Sequence, residues 1–129
     1  MDKYFTTTAM SPIKSYRDLE VYDLAHDLAM EIFSITLTFP SNEKYSLIDQ
    51  IRRSSRSVSV NICEGWGKRH YKQQFKKYLI DSLGSLEETT EWIRFSFDCN
   101  YLDLDNKNLL LRKYHELGAK IYKLHENWK

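Results

Sequence analysis

Residues 105–128 read DNKNLLLRKYHELGAKIYKLHENW, and in them Leu110, Tyr114, Leu117, Ile121, Leu124 and Trp128 recur at alternating spacings of four and three. That period lays one apolar stripe along an α-helix, whereas a half-buried strand would alternate every second residue. Asp103 or Asp105 stands ahead of the stripe as a candidate N-cap. The stretch therefore predicts a helix over roughly 105–127.

Working towards the N-terminus, the same spacing returns three more times. Phe75, Leu79, Ser82, Leu86, Thr90, Ile93 and Phe97 predict a helix over 71–99, ending near Asn100. Leu47, Ile48, Ile51, Ser55, Val58 and Ile62 predict another over 44–65, with Ser41-Asn42 as the capping loop and Gly65 with Gly67 as the stop. Val21, Ala25, Leu28, Ile32 and Ile35 predict the first over 18–38. Pro40 closes that run, because it disfavours helical backbone at Phe39 and has no N–H to continue the ladder. No segment sustains a period of two. Four amphipathic helices with short connections predict an all-α protein, an antiparallel up-down four-helix bundle. Residues 1–14, with Thr6-Thr7-Thr8 and Pro12, read as a flexible N-terminal arm, and 15–129 as the single bundle domain.

Composition narrows the functional classes. A chain of 129 residues with 42% apolar content suits one core, and a net charge of +1 makes the whole chain neither a polycation nor an acidic tail. Cys63 and Cys99 match no metal or redox spacing and read as free thiols within helices. The N-terminus has no apolar signal region and no run is long enough to span a bilayer, so the reading is cytoplasmic with no membrane partner. A metal site in a bundle core needs paired Glu-x-x-His motifs, and the nearest match is the single Asp23-Leu24-Ala25-His26. His70, His115 and His125 share no ligand spacing. No phosphate loop or nucleophile elbow occurs. We expect no catalytic residue, no metal, no cofactor and no enzyme.

Two features depart from an ordinary bundle surface. On helix 2 a second stripe holds Gln50, Arg53, Ser54, Ser57, Asn61 and Glu64, polar but short or mostly uncharged. It reads as a structural network between helices, and a network lining a subunit interface satisfies the same pattern. Gly84, followed by Ser85, falls almost opposite the apolar stripe of helix 3. Glycine there costs roughly 1 kcal/mol against alanine, a loss that close approach by another copy of the chain would offset. The second feature is charge. Arg52, Arg53, Arg56, Lys68, Arg69, Lys72, Lys76 and Lys77 accumulate between 52 and 77 with Trp66, His70 and Tyr71 among them, and acids dominate downstream. Such a segment can hold phosphates and stack bases. The plainer alternative is solvated faces with local pairs such as Asp49–Arg53, worth only ~0.3–0.5 kcal/mol.

Leu19, Ala25, Phe39-Pro40, Glu43, Tyr45, Leu47, Gln50-Ile51-Arg52-Arg53, Ser57, Asn61, Glu64-Gly65, Phe75 and Gly84-Ser85 together resemble the four-helix-bundle proteins encoded in 23S rRNA intervening sequences. The resemblance runs from about Tyr16 to Asp103, with helix 4 alike in pattern alone. It implies a homopentameric ring of antiparallel bundles and no catalytic residues. It also extends to the accessory variability determinant of diversity-generating retroelements, a basic pentamer that associates with a reverse transcriptase and nucleic acid. Two features depart from that pattern. Glu88 is followed by Thr89-Thr90-Glu91 where the family tends to show Glu-x-Glu, and the net charge here is near neutral. The expectation is a homo-oligomeric accessory protein that binds RNA or DNA through Arg52, Arg53, Arg56, Lys68, Arg69, Lys72 and Lys76. A protein-only assembly module is the alternative.

Overall fold

The computed structural model describes residues 13–129 and holds four helices: α1 Glu20–Thr36, α2 Leu47–Gly67, α3 Lys72–Asp98 and α4 Leu104–Asn127. Among the described residues there is no strand. Of the N-terminal arm, residues 1–12 lie outside the described residues. Ile13 packs against the core, and the Lys14 N–H donates to Asp18 Oδ2 at 2.8 Å.

The helix ends follow from local chemistry, and several differ from the sequence expectation. A short 3₁₀ turn over Tyr16–Asp18 precedes α1. Ser15 and Asp18 form a reciprocal capping box around it, and Leu19 is extended, so α1 starts at Glu20. Two residues short of the expected end, Thr36 turns its hydroxyl onto the Ile32 and Phe33 carbonyls, and Leu37, Thr38 and Phe39 switch to i→i−3 bonds. Ser41 and Asn42 do not cap α2. They belong to a second 3₁₀ turn, Ser41–Glu43, and the Glu43 carboxylate instead accepts from the Ser46 hydroxyl and the Leu47 N–H. The last helix matches its expectation: Asp103 Oδ1 accepts from the Asn106 N–H at 2.7 Å. Asn100 ends α3 at a φ of 65°, where Tyr101 and Asn100 donate to the Ser96 and Phe97 carboxyl-end carbonyls in a Schellman pattern.

Gly65 is not the stop signal it resembled. It lies inside α2 and is buried, and a Cβ there would stand 2.7 Å from Tyr78 Cβ and 3.1 Å from Phe75 Cδ1. The glycine lets α3 come close to the end of α2. Gly67 is the last helical residue, and no glycine has positive φ.

Neighbouring helices run in opposite senses, as their contacts show. Ser54 meets Thr89 and Ser57 meets Ser85 across α2 and α3. Glu20 and Lys120, then Glu31 and Lys113, pair across α1 and α4, while Phe97 faces Lys107 and Phe75 faces Trp128 across α3 and α4. The main core takes Val21, Ala25, Leu28, Ile32, Ile51, Val58, Ile62, Phe75, Leu79, Leu86, Ile93, Leu110, Tyr114, Leu117 and Ile121 from the four stripes. A smaller cluster of Phe39, Leu47 and Ile48, with Trp92 and Tyr101 against it, closes one end.

One stripe requires correction. On α3 the buried positions are Thr89 and Ser96, not Thr90 and Phe97. Strict alternation of four and three from Phe75 leads to 89 and 96. Thr89 faces α2, where it donates to Ser54 Oγ at 2.8 Å, and the buried Ser96 hydroxyl is satisfied within α3 by the Trp92 carbonyl at 2.8 Å. Deep in α4, the Tyr114 hydroxyl is buried without a hydrogen-bond partner among the described residues, and burial pushes the phenol well above its ordinary value. Cys63 is half-buried in α2, whereas Cys99 lies just beyond α3 and is exposed.

Candidate nucleic-acid interface and polar seam

The seam between α2 and α3 is the most extensive contact in the bundle, and its middle is polar. Ser82 donates to the Val58 carbonyl at 2.7 Å, and Thr89 links to Ser54 at 2.8 Å, both buried. Further out, Ser57 and Ser85 share a 2.9 Å hydrogen bond, and Asn61 Nδ2 donates to the Ser57 carbonyl and hydroxyl at 3.0 and 3.1 Å. The polar stripe thus divides by depth. Ser54, Ser57 and Asn61 form the network with α3. Gln50 and Glu64 make no side-chain hydrogen bond among the described residues, and Glu64 and Arg53 are exposed. Ser82, which lies on the α3 stripe read from the sequence, and Thr89, which that stripe passes over for Thr90, complete the network from α3. Each hydroxyl has a partner, which removes most of the cost of burying it.

Gly84 lies on the solvent side of α3 with no heavy atom within 4 Å of a Cβ built there. It is one turn from Ile80, which is itself exposed. Away from this region, Asp27, Met30, Glu31, Ser34 and Ile35 line an open depression of about 380 Å³ on the outside of α1. Among the described residues no group of three or more His, Cys, Asp or Glu is placed to hold a metal, and no helix is long and apolar enough to cross a membrane.

The cations from 52 to 77 are contiguous in sequence but separate into three environments. Arg52 is tied to α1: its Nε donates to Thr36 Oγ1 at 2.9 Å, and its guanidinium sits 4.6 Å from the Phe33 ring. Arg53 and Arg56 project from the outer face of α2. Lys68 follows Arg56 by twelve residues, about 18 Å along a helix axis. The Ser54–Thr89 and Ser57–Ser85 contacts set this arginine pair level with the acidic stretch Glu87, Glu88 and Glu91 of α3. The expected Asp49–Arg53 pair is absent from the ion pairs of the described residues.

Lys68, Arg69, Lys72 and Lys76 form the third group, at the end of the bundle where α2 passes into α3. The connection is tight: Lys68 and Arg69 N–H groups donate to the Gly65 and Trp66 carbonyls, and Tyr71 N–H donates to Lys68. Beneath it Trp66, Phe75 and Trp128 pack edge to face, with centroids 4.5–6.2 Å apart. Arg69 lies over the Trp66 ring at 4.1 Å and donates from Nη1 to the Trp66 carbonyl at 2.9 Å. Lys68 Nζ donates to the Tyr78 hydroxyl at 2.8 Å, and that bond raises its ammonium above the ordinary lysine value. Lys77 is paired with Asp81 at 2.9 Å. Lys72 and Lys76, four residues apart on one side of α3, have no hydrogen bond or ion pair among the described residues, nor do Arg53 and Arg56. The first turn of α3 holds no acid.

No curated protein matches this sequence. A family model described as 23S rRNA-intervening sequence protein matches residues 17–123, from the first 3₁₀ turn into the last turns of α4. It reaches past Asp103, so α4 is included. On a match that covers most of the four-helix bundle, the chain belongs to the 23S rRNA-intervening sequence protein family.

Proposed function

We propose that this chain acts by binding rather than catalysis, as a cytoplasmic homo-oligomer that holds RNA or DNA at the end formed by Lys68, Arg69, Lys72 and Lys76. The observation that carries the reading is the placing of these four cations about one tight connection, Lys68 and Arg69 within it and Lys72 and Lys76 in the first two turns of α3, with Lys72 and Lys76 free of any acidic partner among the described residues. Phosphate binding replaces condensed counterions, so uncommitted cations in one place are what it requires. Repetition of the patch around an oligomer would multiply its field and its effective valency. A pentamer is the number that the family resemblance implies, and the same resemblance makes a reverse transcriptase a partner worth testing by co-purification.

A second reading, an assembly module with no nucleic-acid role, is favoured by Gly84 and the outer part of the seam. The Ser57–Ser85–Asn61 set is only half-buried, and Gly84 offers a place where another helix could approach without meeting a side chain.

Native gel retention of labelled RNA and DNA tests the first reading. Retention at low salt should weaken steeply as salt rises and be lost in Lys72→Glu/Lys76→Glu, whose stability should fall by no more than about 1 kcal/mol, since Lys72 is exposed and Lys76 half-buried with no ionic partner among the described residues. Unaltered mobility of both nucleic acids at low salt sinks that reading and leaves the assembly module. Light scattering decides the assembly claim, and a monomer would remove both the ring and the interface role of Gly84.

A further inference from the structure

We propose that the basic end recognises unpaired nucleic acid, with Tyr71 as the surface on which a base stacks. The inference rests on the nucleic-acid reading above and adds a choice between single strand and duplex.

The aromatic side chains at this end are not equivalent. Trp66 is only 7% exposed and its ring is covered by Arg69, and Phe75 is fully buried against Trp128. These rings are used up in closing the core. Tyr71 is 67% exposed. A single exposed aromatic is ordinary on a protein surface, so exposure alone decides nothing. Its setting is what distinguishes it. Lys72 follows it directly, Lys76 comes one turn later, and Lys68 and Arg69 precede it.

Tyr71 is also held on rigid backbone. Its N–H donates to the Lys68 carbonyl at 3.0 Å, and its own carbonyl accepts from Gln74 and Phe75 at 2.9 and 3.2 Å. The His70 ring meets the Tyr71 ring at 5.1 Å and 85°, an edge-to-face contact that supports it from the side. The side chain therefore starts from a fixed junction, which lowers the entropy lost when a base stacks on it.

Cations alone do not separate the two forms of nucleic acid, since both present phosphates. Stacking does. In a duplex each base face is covered by its neighbours, whereas an unpaired base can lie on an aromatic ring. An exposed tyrosine among four cations therefore favours the unpaired strand.

The test uses the full chain and fluorescence anisotropy, with a labelled oligothymidylate and a labelled blunt duplex of equal length. The wild type should bind the single strand more tightly. Tyr71→Ala and Tyr71→Leu should both weaken single-strand binding by roughly 5- to 150-fold and leave duplex binding unchanged. Tyr71→Phe should retain the preference. The leucine variant keeps apolar bulk without a ring, so its loss cannot be assigned to a missing packing contact. Because Tyr71 makes no side-chain cap to α3, helicity should be intact in each variant. Equal affinity for both probes, or an unchanged single-strand affinity in Tyr71→Ala, overturns the stacking role while leaving nucleic-acid binding in place. Failure of the wild type to bind either probe overturns both.

Discussion

The two ends of the bundle are closed by the same device and finished with opposite charge. At one end Trp66, Phe75 and Trp128 seal the core beneath Arg69. At the other, Phe39 and Tyr101 lie 5.4 Å apart over Leu47 and Ile48, and the Tyr101 hydroxyl donates to the Glu43 carboxylate at 2.8 Å. The difference lies in what the polar groups have left to do. Glu43 accepts from Ser46, Leu47 and Tyr101, and Asp103 caps α4, so these two acids of that end are consumed in holding helix starts. At the basic end Lys72 and Lys76 hold nothing among the described residues. Charge committed to structure marks an end that closes the fold, and uncommitted charge marks an end available to a partner.

The comparison can be broken most forcefully in the aromatic clusters. Phe75 is in the main core and contacts two tryptophans, so Phe75→Ala should cost about 3–5 kcal/mol in urea unfolding. Phe39 belongs to the smaller cluster, and Phe39→Ala should fall toward the low end, about 3 kcal/mol. Equal losses would mean that the far end is as much a part of the core as the basic end.

Glycine provides a smaller and sharper contrast. Gly65→Ala puts a methyl against Tyr78 Cβ, which is carried directly on the α3 backbone, so the helices must separate near the basic end. A loss of about 1–3 kcal/mol is expected. Gly84→Ala meets open space and should stabilise the isolated chain by up to about 1 kcal/mol through helix propensity. A destabilised Gly84→Ala, together with weakened assembly in light scattering, would instead place another copy against that face.

The smallest effect is a matter of pH. Glu43 is held below its ordinary value by the Ser46 hydroxyl first and then by Tyr101, and Asp18 near the other end by the Lys14 and Ser15 N–H groups. For each, the unfolded chain binds the proton more readily, so stability rises with pH through the window and is lost as pH falls through the folded value. Starting from the ordinary values of 4.5 and 3.8, the loss should begin first at Glu43. Glu43→Gln and Asp18→Asn should each flatten part of the acid limb in thermal melts between neutral and strongly acid pH. An unchanged limb in both variants would show that these bonds do not persist in solution.

Much of the architecture was already legible in the chain. Alternating fours and threes placed all four helices, Asp103 was recognisable as a cap, and Gly84 was correctly assigned to the solvent side. These features depend on residues within a few positions of one another, so period and capping chemistry suffice to find them. The site was less legible for the same reason. Eight cations between 52 and 77 looked like one patch, yet Arg52 turns to Thr36 on another helix and Arg53 and Arg56 lie level with acids of α3.

Helical period, then, determined which face of each segment is apolar, and with local capping and breaker residues it located the helix stops to within two residues. Only tertiary packing decided that Gly65 is a point of close approach rather than a stop, that Thr89 meets Ser54, and that the Tyr101 hydroxyl reaches the Glu43 carboxylate. The physical reason is that a side chain's partner lies across a helix interface, at a level set by the antiparallel register. Spacing along one chain says which side a residue occupies, but not what stands opposite it.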